Sequence, residues 1–445
     1  MRSPGYALVA LAVATVAGVS MIVFGAGIPA RVVLIATFCL LLWLTEMVSP
    51  WVPTIALWIA TPLFLGPVDQ QFAFHRVLSW SLNPVIALFL GGFALAAAAH
   101  EHGVDGRLAA FAVRVARGSP RRLVVAAALT TALLSMWVSN VAAAALIFGA
   151  FQPIWKGEPP GSPLRRAILL SIALAANVGG IATPIGTGPN GIAMAAVASH
   201  TPITFLQWMA FGVPLALGLV ACSIALACWK LSADQRVIYG ASSSVGAAES
   251  ARPPYMRLGV VFGATVVMWL AEPLHQVPAW VVALGSLLTL LIVRVLSLRS
   301  LLKIDWGMLL LVAGGIALGA LLDRSGLVRE VAAGLPFSTE PSMLTLLALC
   351  ILSAGLSALM SNTGTTALLI PLAAALDPAP STAIIVAVAS SLGMPFVVST
   401  PANAMAVAGG LRSADLLRPG LILMIGGCVL VAVTGPMVLR AVGIP

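Results

Sequence analysis

Four short stretches of the sequence place hydroxyl and amide side chains inside runs that are otherwise apolar. They read SMWVSN at 135–140, GTGPN at 186–190, SALMSNT at 357–363 and STPAN at 399–403. Hydroxyl and amide oxygens, and the backbone carbonyls that Gly and Pro free from a helix, are hard and neutral ligands. Because such ligands suit a small alkali cation, the four stretches are candidate binding sites for Na⁺.

None of the four stretches contains Asp or Glu. A carboxylate there would repel an anion, whereas the positive N-terminal ends of helices that restart after a break attract one. The stretches therefore favour an anionic ligand and disfavour proton coupling through a central acid. A second interpretation stays open, because Ser-Asn pairs also join packed membrane helices and Gly-Pro pairs also form simple kinks.

Two acids outside these stretches occupy equivalent places in the chain. Glu46 and Glu272 each follow the pattern Trp-Leu-x. A pair of functional carboxylates is one interpretation. Capping of a helix end, or a hydrogen bond between helices, is the one that we favour.

The elements that position these residues lie in a membrane. The chain has 445 residues, of which 60% are hydrophobic and 8% charged, whereas a soluble domain is about a quarter charged. Apolar runs of about 20 residues recur without the alternation of a barrel strand, so the spans are helical. The net charge of +9 comes from Lys and Arg beside these runs, which excludes a separate nucleic-acid-binding domain. The five Cys have no CxxC spacing, and no HExxH or GxSxG motif indicates an enzyme.

The hydropathy pattern predicts an all-α polytopic membrane protein with about eleven transmembrane helices and two re-entrant helical hairpins. Spans are expected at about 6–26, 31–48, 51–66, 83–100, 166–198, 208–230, 257–271, 279–297, 304–322, 381–410 and 419–439. The hairpins are expected at 122–153 and 343–372, and an interfacial helix at 101–121. With this topology most of the 23 Lys and Arg lie at cytoplasmic edges, which predicts a cytoplasmic N-terminus and an outside C-terminus.

The two halves of the chain repeat each other. WLTEMVSPWVPTIAL at 43–57 matches WLAEPLHQVPAWVVAL at 269–284, and three further pairs of blocks follow in the same order. Since the two hairpins enter from opposite sides, the repeats are inverted, which is typical of secondary transporters with a site near the membrane midplane. The predicted organisation is a first repeat at 1–230 (scaffold helices 1–121, hairpin and broken helix 122–230), a cytoplasmic linker at 231–256 and a second repeat at 257–445 (scaffold helices 257–340, hairpin and broken helix 341–445).

These stretches and their neighbours resemble the signature motifs of the divalent anion/sodium symporter family, which includes dicarboxylate, citrate and sulfate carriers. The matching blocks are LLSMWVSN, GGIATPIGTGPN, MSNT and STPAN, with further similarity in WLTE, LFLGGFALA and TFLQWMAFGVP. The resemblance covers nearly the whole chain. It implies a homodimer in which each protomer has a scaffold region and a transport region that moves like an elevator.

The resemblance also implies which residues bind the ions and the substrate. The first sodium site corresponds to Ser135, Ser139, Asn140 and Gly186. The second sodium site corresponds to Ser357, Ser361, Asn362 and Ser399. The substrate-facing positions correspond to Asn140, Val141, Thr187, Asn362, Thr363, Thr400 and Pro401.

Three residues depart from the family pattern. Val141 stands where the first Ser-Asn-Thr motif has Thr, and Gly188 and Ala402 stand where family members often have Pro. A missing hydroxyl removes one hydrogen bond to an oxyanion, about 1–3 kcal/mol if it is charge-assisted. The departure at Val141 therefore favours an anion that is smaller, less polar or differently charged than a C4-dicarboxylate.

The sequence thus predicts a secondary transporter rather than an enzyme. The expected activity is sodium-coupled symport of a small anion (a di- or tricarboxylate, or sulfate) by elevator-type alternating access in a bacterial inner membrane. The alternative is a sodium-independent anion exchanger on the same fold.

Overall fold

In the described part of the chain, the computed structural model consists of helices joined by turns and short irregular segments. The structure describes residues 25, 27–45, 48, 49, 51–116, 119–198, 201–231, 254–327, 330, 342–376 and 380–444, and these ranges contain no strand. Most of the span predicted at 6–26, Glu46 and most of the linker predicted at 231–256 lie outside the described residues.

The first half of the chain contains helices α1 to α11. Their bounds are α1 Ile28–Thr45, α2 Val52–Phe64, α3 Phe74–Ser81, α4 Pro84–Glu101, α5 Val104–Val115, α6 Pro120–Ser135, α7 Asn140–Ala150, α8 Gln152–Gly157, α9 Pro163–Gly179, α10 Gly188–Val197 and α11 Phe205–Cys228. Several of them begin with proline in the first turn, where no helical hydrogen bond is lost. Several also have a polar N-cap, whose side chain accepts a hydrogen bond from a free backbone N–H of the first turn. Asn83 caps α4, Ser162 caps α9, and Thr204 forms a capping box with Gln207 at α11.

The second half contains helices α12 to α21. Their bounds are α12 Pro254–Leu270, α13 Glu272–His275, α14 Ala279–Ile292, α15 Leu298–Leu301, α16 Trp306–Arg324, α17 Met343–Leu359, α18 Asn362–Leu376, α19 Pro380–Ser390, α20 Pro401–Ala408 and α21 Ser413–Ala441. The predicted interfacial helix corresponds to α5. The short helices α3, α8, α13 and α15 were not predicted.

Five helical segments of the described residues are long and apolar enough to cross a bilayer. They are Pro84–Glu101, Pro163–Ala182, Phe205–Cys228, Trp306–Arg324 and Ser413–Ala441. Shorter apolar helices such as α1, α2, α12 and α14 accompany them. The predicted fold class, an all-helical membrane protein, is confirmed, whereas the number of spans stays a prediction.

Helix breaks lie at both Ser-Asn pairs. Helix α6 ends at Ser135 and α7 begins at Asn140, while α17 ends at Leu359 and α18 begins at Asn362. The two helices on either side of each break pack against each other. These pairs are the helices of the predicted hairpins, and their re-entry into the membrane stays a prediction.

Two more helices are interrupted in the same way. A 3₁₀ turn at Gly180–Ala182 separates α9 from α10, and a second one at Val397–Ser399 precedes α20. Helix α9 packs against α6 and α19 packs against α17, so each interruption lies beside a break of its own half.

The halves also interlock through two equivalent glycines. Gly91 on α4 lies so close to α14 that a Cβ atom there would be 2.6 Å from the carbonyl carbon of Ala283. Gly314 on α16 lies against α2 in the same way, and a Cβ atom there would be 2.9 Å from the Cβ of Thr54. Small residues at such points allow two backbones to approach closely. In each half, therefore, one glycine-bearing helix packs closely against a helix of the other half.

Candidate functional site

Oxygen atoms of the first half gather around Gly180. The Ser135 hydroxyl lies 2.8 Å from Asn140 Oδ1 and 2.6 Å from the carbonyl oxygen of Ala176. A Cβ atom at Gly180 would lie 2.6 Å from Asn140 Oδ1 and 3.0 Å from the carbonyl oxygen of Gly186. Since a serine hydroxyl donates only one proton, these oxygens cannot all be paired with one another. The structure thus brings together Ser135, Asn140 and Gly186, three of the predicted sodium ligands.

The second half has the equivalent arrangement. The Ser357 hydroxyl donates to Asn362 Oδ1 at 2.7 Å, as Ser135 does to Asn140. The Ser399 hydroxyl donates to the carbonyl oxygen of Ala358 at 2.8 Å, which ties the 3₁₀ turn to the end of α17. Ser357 and Ser399 are both buried. The predicted ligands Ser357, Asn362 and Ser399 therefore surround one helix break.

The remaining two predicted ligands are helix caps. Ser139 Oγ accepts a hydrogen bond from the backbone N–H of Ala142 at 3.3 Å, and Ser361 Oγ accepts one from Gly364 at 3.1 Å. Such caps fix the first turns of α7 and α18. A hydroxyl that accepts one hydrogen bond keeps a second lone pair, so capping leaves room for a further ligand.

Two buried asparagines that were given no role in the sequence hold the interruptions in shape. Asn190 Nδ2 donates to the carbonyl oxygens of Gly180 at 2.9 Å and Thr183 at 2.8 Å. In the other half, Asn403 Nδ2 donates to two carbonyl oxygens in the same way, those of Met394 and Phe396. Both asparagines end a quoted stretch, GTGPN or STPAN, so their equivalent places in the repeat were the available signal.

Asn177 joins the two halves. Its Nδ2 lies 3.2 Å from Thr400 Oγ1 and 3.4 Å from Asn403 Oδ1, across more than 220 residues of sequence. Its Oδ1 is buried and has no hydrogen-bond partner among the described residues. Nothing in the sequence marked Asn177, because the residue at its place in the second half is Ser390.

The first turns of helices from different halves meet at the centre. A Cβ atom at Gly188, the first residue of α10, would lie 2.6 Å from Thr363 Oγ1 on α18. Helix α7 also packs against α20 of the other half. The four breaks themselves contain no ionisable side chain, so their own residues supply no carboxylate to offset the positive ends of these helices.

The predicted substrate residues differ in exposure. Thr187 and Thr363 are each 5% exposed and Thr400 is 7% exposed, whereas Val141 is 43% exposed. Thr400 also caps α20 by accepting from the N–H of Asn403 at 3.3 Å, and Pro401 is exposed beside it. The two Ser-Asn breaks therefore differ in both chemistry and access, because one presents an exposed apolar side chain where the other holds a buried hydroxyl.

Glu272 is a capping residue. Its carboxylate accepts hydrogen bonds from the backbone N–H of Phe205 at 3.1 Å and of Ala279 at 3.2 Å. These are the first residues of α11 and α14, whose positive ends a carboxylate stabilises. The favoured interpretation is confirmed for Glu272.

An aromatic stack fixes the first break against the helices beside it. The rings of Trp137 and Trp269 lie nearly parallel with centroids 6.3 Å apart, and the ring of Phe205 stacks on Trp269 at 4.4 Å. Trp269 is fully buried, and its indole N–H donates to the carbonyl oxygen of Ala279 at 2.9 Å. Trp137 lies in the SMWVSN stretch, so this stack positions the first oxygen cluster.

The sequence matches a known family over most of its length. The model of the family described as "Citrate transporter" matches residues 40–393. The chain belongs to the citrate transporter family. Members of this family are membrane transporters and not enzymes, which confirms the resemblance and the class of function predicted from the sequence.

Named relatives of this citrate transporter family member differ in what they carry. The sodium-dependent dicarboxylate transporter SdcS of Staphylococcus saprophyticus is 27% identical over 411 residues, covering 83% of this chain and 78% of that protein. The inorganic phosphate transporter PHO87 of Saccharomyces cerevisiae is 26% identical over 316 residues, covering 67% of this chain. An uncharacterized transporter of Schizosaccharomyces pombe is 28% identical over 303 residues, covering 66% of this chain. The chain spans 33% and 34% of the length of these last two relatives.

A solved structure shares the fold. The crystal structure of the YdaH transporter of Alcanivorax borkumensis superposes with a TM-score of 0.60 at 16% sequence identity, covering 88% of this chain and 99% of that one. At this identity the likeness concerns the fold alone.

Proposed function

We propose that this protein is a sodium-coupled symporter of a small oxyanion. The observation that carries the proposal is the pair of equivalent oxygen clusters, Ser135 with Asn140 and Ser357 with Asn362, each at a break between two helices. The sodium-dependent dicarboxylate transporter SdcS, a relative over most of the chain, supports the same activity.

The cation is held by neutral oxygens. In the first cluster two oxygen atoms, Asn140 Oδ1 and the carbonyl oxygen of Ala176, lie within 2.8 Å of the Ser135 hydroxyl, which can donate only once, so lone pairs face one another. A small cation placed among such lone pairs removes their repulsion without any carboxylate. We assign one Na⁺ to Ser135, Ser139, Asn140 and Gly186. A second Na⁺ is assigned to Ser357, Ser361, Asn362 and Ser399.

The anion binds between the clusters. Helices α7, α10, α18 and α20 begin there, and the partial positive charge of each N-terminus favours an oxyanion. Hydroxyls of Thr187, Thr363 and Thr400 and the amides of Asn140 and Asn362 supply hydrogen-bond donors, with Pro401 and Val141 as apolar walls. The bound cations add positive charge, so each ligand raises the affinity for the other, as symport requires.

Transport follows from the architecture of two inverted repeats. We propose repeats at 1–230 and 257–445 joined by a cytoplasmic linker at 231–256, with the two hairpins re-entering the membrane from opposite sides. The hairpins and broken helices then form a transport region that moves as an elevator against the scaffold helices, in a homodimer. The packing of Gly91 on Ala283 and of Gly314 on Thr54 supports this symmetry.

The membrane orientation follows from the basic residues. Arg165, Arg166 and Arg412 lie together at one edge of the bundle although they belong to different halves. Because positive residues concentrate on the cytoplasmic side, this edge is cytoplasmic. We propose a multi-pass protein of the inner (plasma) membrane with its N-terminus in the cytoplasm and its C-terminus outside.

The cargo is tested by uptake into proteoliposomes. Labelled succinate, citrate, sulfate and phosphate are compared at equal Na⁺ on both sides and again with choline in place of Na⁺. One of these anions is expected to enter only when Na⁺ is present. Equal uptake in choline would contradict symport and favour sodium-independent exchange.

Val141→Thr is expected to shift the cargo preference toward dicarboxylates. The added hydroxyl lies at an exposed position beside Asn140 and gives the first break the donor that Thr363 gives the second. One charge-assisted hydrogen bond of about 1–3 kcal/mol corresponds to roughly a fivefold to hundredfold gain in affinity. Competition of succinate against the labelled cargo measures it. Val138→Thr, three residues earlier in the same break and not among the residues assigned to the ions or the anion, is the control, and equal profiles for both variants would remove position 141 from the site.

A further inference from the structure

A basic cavity lies apart from the four breaks, where the starts of α9 and α21 meet. It has a volume of about 320 Å³, and its charged lining consists of Arg165, Arg166, Arg412 and Asp415. The two helix N-termini, at Pro163 and Ser413, begin within a few residues of it. Neither the cation clusters nor the proposed anion site includes any of these residues.

Positive charge in the cavity exceeds the negative charge that the protein supplies. Asp415 is shared, because its carboxylate accepts from Arg166 Nε at 3.1 Å and from Arg412 Nε at 2.9 Å. The Glu158 carboxylate, which accepts from the Ser162 hydroxyl at 3.0 Å, adds one more negative charge nearby. Three guanidinium groups therefore face two carboxylates. The N-termini of α9 and α21 carry partial positive charge and add to this imbalance. Arginines in the first turn of α9 are unfavourable for the same reason, because positive charge lies next to the positive end of the helix.

One arginine that lines this cavity has a buried donor without a partner. Arg166 has a side chain 13% exposed, and its Nη1 is buried with no hydrogen-bond partner among the described residues. A buried charged donor is costly to leave unpaired. Arg412, in contrast, is 76% exposed at its side chain and gives a ligand access from outside.

The backbone at Gly409 and Gly410 positions one arginine of this cavity. Arg165 is held in place by the carbonyl oxygen of Gly409, to which its Nη2 donates at 2.9 Å. Gly410 has a φ of +100°, and a Cβ atom there would lie 2.9 Å from Arg165 Nη2. Only glycine combines this left-handed backbone with the close approach of the guanidinium.

We propose that this cavity binds a phosphate group. Each guanidinium carries five N–H donors, so Arg166 and Arg412, which both pair with Asp415, keep further donors for the oxygens of a phosphate. The phosphate belongs either to the headgroup of an anionic lipid or to free inorganic phosphate. Ile422 and Ile425 of α21 are 57% and 50% exposed, so apolar surface for an acyl chain continues from the cavity along the same helix.

The test uses the purified full-length protein and two ligands. The lipid arm measures binding of phosphatidylglycerol by native mass spectrometry, with a diacylglycerol of the same chains as the phosphate-free reference. The other arm measures the rise of the melting temperature with inorganic phosphate. We expect at least one ligand to bind the wild-type protein, and we expect Arg412→Gln and Arg166→Gln each to weaken that binding about tenfold.

Arg418→Gln is the matched control, because Arg418 is an exposed arginine on α21 that does not line the cavity. It should bind like the wild type. Arg412 is exposed, so its replacement leaves the fold intact even if Arg166→Gln does not. Binding in the lipid arm alone assigns a headgroup, and binding of inorganic phosphate assigns the free ion. The proposal is overturned if neither ligand binds, if Arg412→Gln binds like the wild type, or if Asn362→Ala rather than the arginine variants removes the response to phosphate.

Discussion

Asn362→Ala is expected to lower sodium-dependent uptake about a hundredfold, and Asn140→Ala is expected to do the same. Each substitution deletes the side-chain oxygen that lies 2.7 or 2.8 Å from a buried serine hydroxyl. A contact between a neutral oxygen and an ion contributes about 1.5–3 kcal/mol, which corresponds to between tenfold and a hundredfold in affinity. Since symport needs both sites filled, the loss appears in the rate of uptake at low Na⁺. A titration of uptake against Na⁺ concentration measures it.

The serines of α17 provide a matched pair for this expectation. Ser357 and Ser353 are both fully buried and lie one turn apart. Ser357 donates to Asn362 Oδ1 in the cluster, whereas Ser353 donates to the carbonyl oxygen of Val386 at 2.8 Å. Ser357→Ala should raise the Na⁺ concentration needed for half-maximal uptake, and Ser353→Ala should change only the melting temperature. Equal Na⁺ dependence in the two variants would mean that the cluster does not bind the cation.

Gly180→Ala is expected to abolish sodium-dependent uptake while all oxygen ligands remain. The added methyl group would lie 2.6 Å from Asn140 Oδ1 and 3.0 Å from the carbonyl oxygen of Gly186, which is the space assigned to the ion. Contacts this short force the Asn140 side chain and the Gly186 backbone to shift, and a metal site tolerates displacements of only a few tenths of an ångström. Uptake in proteoliposomes and the rise of the melting temperature with Na⁺ are the two measurements.

Gly149→Ala is the control for this variant. Gly149 lies on α7 of the same break, and a Cβ atom there would meet nothing within 4 Å. It should keep the wild-type uptake and the wild-type response to Na⁺. If folded Gly180→Ala protein still gains thermal stability from Na⁺, the first cation does not lie between Asn140 and Gly186.

Much of this arrangement could be predicted from the sequence because the chain carries it twice. A lone Ser-Asn pair is weak, but Ser135 with Asn140 recurs as Ser357 with Asn362, and the structure places a helix break at both. The membrane fold followed from composition. Asn190 and Asn403 were within reach of the same reasoning, since each ends a repeated stretch.

Other features depended on contacts that no local pattern records. Asn177 reaches Thr400 across 223 residues, and Arg166 reaches Asp415 across 249 residues. These contacts join the two halves and exist only after both have folded. The four-residue helices α13 and α15 escaped prediction for another reason, because segments so short carry no periodic signal.

Sodium-driven accumulation tests the central claim most directly. Proteoliposomes are loaded with unlabelled cargo at the same concentration as the labelled cargo outside, and an inward Na⁺ gradient is then imposed. Our account predicts that labelled anion rises inside above the outside concentration and falls back when a sodium ionophore collapses the gradient. Uptake that stops at equal concentrations, with or without the Na⁺ gradient, would contradict sodium coupling and show that the protein exchanges anions.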